Sequence, residues 1–256
     1  MDKEDADSPL RREARELARA SGGFQRVVVL TGAGVSSDSG IPTFRDPGGV
    51  WERFRPEDLA SPDAFARDPK LVWDWYRARA ENVREAQPNP GHIAIAEMEA
   101  IFPDFHLITQ NVDGLHHRAG SRRVIELHGN LGRARCTRCP SVFPLEHAPV
   151  AHDGMPHCPS CAALARPDIV WFGEALPVDA LEQAFDLSSR AQVFFSVGTS
   201  GLVQPAASLP FIAKRAGALI VEVNPNETSL SADCDFIFRA SSSEALPIIV
   251  EAYHAL

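Results

Sequence analysis

The chain has 256 residues, 45% of them hydrophobic, enough to bury a substantial core as one domain with an elaboration. Its 25 Lys and Arg against 34 Asp and Glu leave a net charge of −9, which argues against a general nucleic-acid or anionic-membrane binder, whose footprint is basic. No apolar run approaches the ~18 residues of a membrane span. The acidic opening Met1-Asp2-Lys3-Glu4-Asp5 lacks the basic and apolar regions of a signal peptide, so a cytoplasmic protein is expected.

Ser8-Pro9 followed by Leu10, Ala14, Leu17 and Ala18 predicts a capped amphipathic helix closed by Gly22-Gly23. The β-branched run Val27–Thr31 then empties into Gly32-Ala33-Gly34, as buried strands do where a backbone approaches a pyrophosphate. The dehydrogenase fingerprint nevertheless fails. Ser37 takes the third glycine's place, and no second strand ends in an acidic residue at the ~20-residue offset. Helical patterns follow at Leu71–Glu85 and His92–Ile101, then a strand at Phe105–Thr109 that runs into Gln110-Asn111-Val112-Asp113. The next strand, Val124–Leu127, delivers His128 in front of Gly129.

Residues 131–167 break the alternation. They hold Cys136-Thr-Arg-Cys139 and Cys158-Pro-Ser-Cys161, with 18 residues between the pairs. In a reducing compartment that spacing predicts one structural Zn2+ held by two thiolate knuckles, with no position open for substrate. Little periodic pattern remains in the segment, so it reads as a small zinc module, about 131–167, that depends on its metal and is inserted in the sheet-forming lobe of a single domain. His157 is read as a bystander and Cys234 as a small buried hydrophobe. Alternation resumes with a helix at Ala180–Ser188 and a strand at Val193–Val197 ending in Gly198-Thr199-Ser200. A helix at Ala206–Ala216, a strand at Leu219–Val223 ending in Asn224, an edge strand at Asp235–Arg239 and a closing helix at Ser243–His254 complete the chain. Strands alternating with helices predict an α/β doubly wound parallel sheet, and its ligand site belongs at the carboxyl ends of the strands.

Taken together, Gly32-Ala33-Gly34 with Gly40-Ile41-Pro42-Thr43-Phe44-Arg45, Gln110-Asn111-Val112-Asp113, Leu127-His128-Gly129 and the two cysteine pairs resemble the sirtuins, NAD-dependent protein-lysine deacylases. Val170-Trp171-Phe172-Gly173-Glu174, Gly198-Thr199-Ser200 and Val221-Glu222-Val223-Asn224 extend the likeness from about Ala18 to Leu246. The resemblance implies the deoxyhypusine synthase-like NAD/FAD-binding fold, a Rossmann-like parallel sheet with helices on both faces plus the small zinc module. It implies an NAD site formed by Gly32, Ala33, Gly34, Ser37, Thr43, Phe44, Arg45 and Trp51, with Phe44 shielding the reacting ribose. Gln110 would contact that ribose, Asn111 and Asp113 the nicotinamide. Gly198, Thr199, Ser200, Asn224 and Ser242 would take the phosphate and adenosine side. By the same likeness His128 is the general base, and the products are free lysine, nicotinamide and acyl-ADP-ribose.

The protein substrate would enter as an extended strand between Phe172-Gly173-Glu174 and Gly201-Leu202-Val203, with Val170 beside it. Tyr76 and Arg79 lie three apart on one helix face. In the sirtuins that remove succinyl, malonyl and glutaryl groups, such a pair binds the distal carboxylate, so acidic acyl-lysines are expected substrates alongside acetyl-lysine. Two departures stand out. Pro47 occupies the place of a small alanine in relatives with the wide acyl pocket, and Ala240-Ser241-Ser242 that of the family's Gly-x-Ala. The alternatives at this level are a mono-ADP-ribosyltransferase, a plain deacetylase, and a DNA-binding zinc ribbon, which the acidic balance disfavours.

Overall fold

The computed structural model describes residues 8–43 and 55–256. Six strands form one parallel sheet: β1 (Arg26–Thr31), β2 (Asp104–Thr109), β3 (Val124–Glu126), β7 (Val193–Val197), β8 (Leu219–Val223) and β9 (Phe236–Phe238), in the order β3-β2-β1-β7-β8-β9. The remaining three, β4 (Gly129–Cys136), β5 (Val142–Pro144) and β6 (Ala165–Ile169), make an antiparallel sheet with β4 in the centre. From β1 the chain winds to β2 and β3 on one side, and later to β7, β8 and β9 on the other. The order therefore reverses between β1 and β7, and a crevice opens there at the carboxyl ends of the strands.

Alternate residues of each strand face opposite sides of the sheet, which explains why the strands read as continuous apolar runs. Val27 and Val29 join Phe105, Leu107, Phe195 and Val221 in a core under helices α1 (Pro9–Ala20), α4 (Pro90–Ile101) and α7 (Ser242–His254). Val28 and Leu30 join Ile108, Phe194 and Ile220 beneath α5 (Val178–Arg190) and α6 (Leu209–Arg215). Local chemistry sets the helix starts. Ser8 caps α1, and Asn89 with Pro90 caps α4 in a reciprocal box with the His92 side chain. The Ala206–Ala216 helical pattern is broken into a 3-10 turn, Ala206–Ser208, and the short α6, where Pro210 supplies no amide for a continuous ladder.

A third core lies outside the parallel sheet. Helices α2 (Pro62–Arg67) and α3 (Pro69–Glu85) pack Phe65, Val72, Trp73 and Tyr76 against Leu131, Ala134, Phe143, Ala165 and Trp171 of the cysteine-bearing segment. Trp73 Nε1 donates to the Ala165 carbonyl at 2.9 Å, locking α3 onto β6. The segment thus buries far more apolar surface than its own pattern implies, because the partner face is supplied by helices some sixty residues earlier in the chain. Among the described residues no helix is long and apolar enough to cross a membrane.

Candidate active site

Strands β1 and β7 end in glycine turns that interlock. Gly32 N donates to Val197 O at 3.1 Å, and Gly34 N donates to Gly198 O at 2.8 Å. A Cβ on Gly34 would stand 2.8 Å from Gly198 Cα, and Gly198 itself has φ +58°. Glycine is required here so that the two turns can touch. Above the turns lies a cavity of about 750 Å³, within the range of small-molecule sites.

Most of the residues expected from the sequence line this one cavity. Gly32, Ala33, Gly34, Ser37 and Thr43 come from the first turn, and Gly198, Thr199 and Ser200 from the second. Gln110, Asn111 and His128 descend from β2 and β3, and Asn224 and Ser242 from the far edge. Val170, Phe172, Gly173, Glu174 and Val203 border the opening, and Tyr76 with Arg79 reach in from α3. Phe44, Arg45, Pro47 and Trp51 lie outside the described residues.

Thr199 ties three of these strand ends together: its hydroxyl accepts from Gln110 Nε2 at 3.1 Å and its carbonyl from Asn224 Nδ2 at 3.0 Å. Asn224 belongs to a loop braced from below by Glu222, only 1% exposed, which pairs with Arg239 at 2.6 Å and accepts from Ser231 and Thr228. His128 is half-buried, and its Nδ1 lies 3.0 Å from the Gln110 carbonyl. A carbonyl oxygen only accepts, so Nδ1 carries the hydrogen and Nε2 keeps its lone pair. Burial lowers the His128 pKa, and the Gln110 hydrogen bond opposes that shift. A Cβ at Gly129 would collide with the Asp168 carbonyl, so the histidine is followed by the only residue that admits β6 at this point.

Asp113 does not line the cavity. Its oxygens accept from Ser36 Oγ at 2.8 Å and Leu115 N at 2.9 Å, and Ser36 in turn accepts from Asn111 Nδ2 at 3.1 Å. Beneath this trio sit two buried imidazoles, His92 and His116, with ring centroids 4.8 Å apart. Desolvation pushes the His92 pKa down to about 4 and that of His116 well below its usual value, so both are neutral donors and acceptors near pH 7. Nothing in the sequence reading singled them out. The available signal was a histidine on the buried stripe of a helix, His92, and another three residues past Asp113, His116.

At the end of the cavity lined by α3, Tyr76 is 3% exposed, and burial pushes its pKa up to about 12 despite the nearby Arg79 charge. Burial lowers the Arg79 pKa, while the Tyr76 and Asp113 charges favour its protonated form. Its guanidinium lies 4.8 Å from the Trp75 ring centroid, held by a face that attracts cations. Glu174 uses both oxygens internally: it pairs with Arg166 at 2.5 and 2.8 Å and accepts from Trp171 N at 2.9 Å. Trp171 and the 225–229 loop also line the cavity, with no role there expected from the sequence; Leu202 joins them from the segment expected to flank the substrate strand.

The cysteines converge away from the cavity. Cys136 Sγ lies 3.5 Å from Cys161 Sγ and Cys139 Sγ 3.7 Å from Cys158 Sγ, and all four sulfurs fall within 4.8 Å of one another. A disulfide would need ~2.05 Å, whereas tetrahedral zinc with bonds of ~2.3 Å sets sulfurs ~3.8 Å apart. The donor set therefore fits zinc, fills its four positions, and none of the four thiols borders the cavity. His157 stays outside the set, its Nδ1 3.0 Å from Ala162 O and its Nε2 3.2 Å from Asp153. Cys234 is partly buried against the α5–α6 core, and desolvation raises its thiol pKa to about 12.

The same arrangement recurs in known proteins. The Sir2 family model matches residues 32–205. An NAD-dependent protein deacylase of Aquifex aeolicus is 53% identical over 225 residues, spanning 86% of this chain and 92% of its own. NAD-dependent protein deacylase 2 of Pyrobaculum aerophilum is 53% identical over 228 residues, spanning 88% and 89%. Among solved structures, a Sir2 homolog–NAD complex aligns with a TM-score of 0.84 at 47% identity, covering 100% of this chain and 94% of that one. A Sir2–p53 peptide–NAD+ complex aligns with a TM-score of 0.82 at 35% identity, covering 94% and 98%. By sequence, sheet order and cysteine-bearing insert alike, this chain belongs to the Sir2 family, the sirtuins.

Proposed function

We propose that this sirtuin removes acyl groups from lysine side chains of proteins at the expense of NAD+, and that it accepts succinyl, malonyl and glutaryl groups as well as acetyl. The observation that carries the reading is that one cavity is lined by the base candidate His128 on the parallel sheet and by Arg79 and Tyr76 on the facing lobe. NAD+ supplies a ribose carbon that becomes electrophilic as nicotinamide departs. The glycine turns and Thr199 would hold its phosphates and adenosine ribose, with Asn224 and Ser242 beside them. Gln110 would contact the second ribose. Asn111 donates one amide hydrogen to Ser36, which leaves its side-chain carbonyl to accept from a carboxamide such as that of nicotinamide. Asp113 would act through Ser36 and Asn111, since its own oxygens are engaged.

His128 Nε2 would take a proton from a ribose hydroxyl, and the Gln110 carbonyl stabilises the imidazolium that results. Backbone groups around Phe172, Gly173 and Val203 would pair with the substrate peptide, with Val170 packing against the acyl-lysine stem. Arg79 and Tyr76 would donate to the distal carboxylate of an acidic acyl group, a charge-assisted arrangement that acetyl-lysine cannot use.

The test is nicotinamide release from NAD+ with succinylated and acetylated forms of one peptide. Arg79→Met should lower the succinyl-to-acetyl ratio of kcat/KM about a hundredfold, the loss of a hydrogen-bonded charge pair. An unchanged ratio contradicts acidic-acyl recognition. His128→Tyr should abolish release with both peptides.

A further inference from the structure

Tyr76 Oη and Trp171 Nε1 lie 2.9 Å apart, and both side chains are buried, 3% and 2% exposed. An indole N–H donates and never accepts. The phenol oxygen is therefore the acceptor in this pair, and the Tyr76 hydrogen is turned away from Trp171. The indole itself has no freedom to reorient. Arg166 Cζ sits 3.4 Å from its ring centroid, and the same guanidinium pairs with Glu174 and donates to the Ile169 carbonyl at 2.7 Å. Glu174 Oε2 in turn accepts from Trp171 N, and Phe65 packs on the ring at 5.3 Å.

We propose that Trp171 is a specificity-determining positioning residue: by occupying the acceptor side of the Tyr76 hydroxyl, it makes Tyr76 an obligate hydrogen-bond donor at the acyl end of the cavity. The Tyr76 hydrogen is then presented for donation beside the Arg79 guanidinium. A carboxylate, whose two oxygens only accept, takes that hydrogen, and an acyl tail without acceptors offers the Tyr76 hydroxyl no partner. The inference rests on the reading of Tyr76 and Arg79 given above. It adds that acidic-acyl selectivity depends on a third residue that sits on β6's exit and not on α3.

The experiment measures the succinyl-to-acetyl ratio of kcat/KM for Trp171→Phe, Tyr76→Phe, the double variant and Arg79→Met. Trp171→Phe keeps an aromatic ring under Arg166 and removes the N–H together with part of the indole's bulk. Each single aromatic variant should lower the ratio about tenfold, and the double variant no further than either alone, because one hydrogen bond is being removed twice. A Trp171→Phe ratio within twofold of the unsubstituted enzyme, or a double variant whose loss is the product of the singles, overturns the proposal. If Trp171→Phe does not fold, as judged by its melting curve, Tyr76→Phe carries the test: an unchanged ratio overturns the proposal there too. Arg79→Met separates the two readings. A ratio that falls in Arg79→Met and not in Trp171→Phe removes Trp171 alone, whereas a ratio insensitive to Arg79 removes both.

Discussion

His128 illustrates how one hydrogen bond fixes a tautomer. The Gln110 carbonyl takes the Nδ1 hydrogen, so the lone pair remains on Nε2, the nitrogen free for proton abstraction. Burial disfavours the imidazolium and lowers the pKa from its usual 6.5. The base form is thus populated at lower pH than for an exposed histidine. The acid limb of the kcat/KM profile should consequently lie below pH 6.5, measured as nicotinamide release across pH 5 to 8. A limb above 6.5 would mean that a different group, or a differently placed histidine, is the base. Trp171 and Tyr76 show the same logic at the other end of the cavity, where a donor-only partner dictates which way a hydroxyl points.

At the scale of elements, the cysteine segment and helices α2 and α3 stabilise one another. Cys136 and Cys158 belong to the same packed cluster as Trp73, Tyr76 and Trp171, so the cysteine cluster and the Tyr76 end of the cavity share one core. Replacing Cys158 by Ser should cut bound zinc to well below one per chain and lower the melting temperature by about 10 °C, the order expected when a structural site is lost from a domain of this size. Zinc content and a melting curve on the same sample check this. A variant that loses zinc and melts unchanged would show that the apolar contacts with α2 and α3 suffice. The knuckle spacing made the four thiols legible from sequence, because two Cys-x-x-Cys turns present the paired thiolates that a tetrahedral site needs. Their apolar partners were not legible. Trp73 reads as an ordinary helix residue and Phe65 lies outside every predicted element, and only tertiary contact reveals that they face the cysteine segment and not the parallel sheet.

At the scale of the molecule, the alternating pattern from Val27 to Val223 dictated the parallel sheet, and the reversal between β1 and β7 determined where its ligand site would open. Strand-end residues such as Gln110, His128, Thr199 and Asn224 were visible in the sequence because a β-strand must deliver the residue after it to that edge. The support beneath them was hidden. Ser36, His92 and His116 come from three separate elements and look like unremarkable polar residues until they are packed together. The cavity between sheet and zinc-bearing lobe is the feature on which the functional account depends. The proposed cleavage of NAD+ there, to carry off an acyl group, is tested most directly by one product analysis. With adenine-labelled NAD+ and a succinylated peptide, nicotinamide, deacylated peptide and labelled succinyl-ADP-ribose should appear in equal amounts, all dependent on the peptide. Label retained on protein, or nicotinamide release without peptide deacylation, would contradict the account.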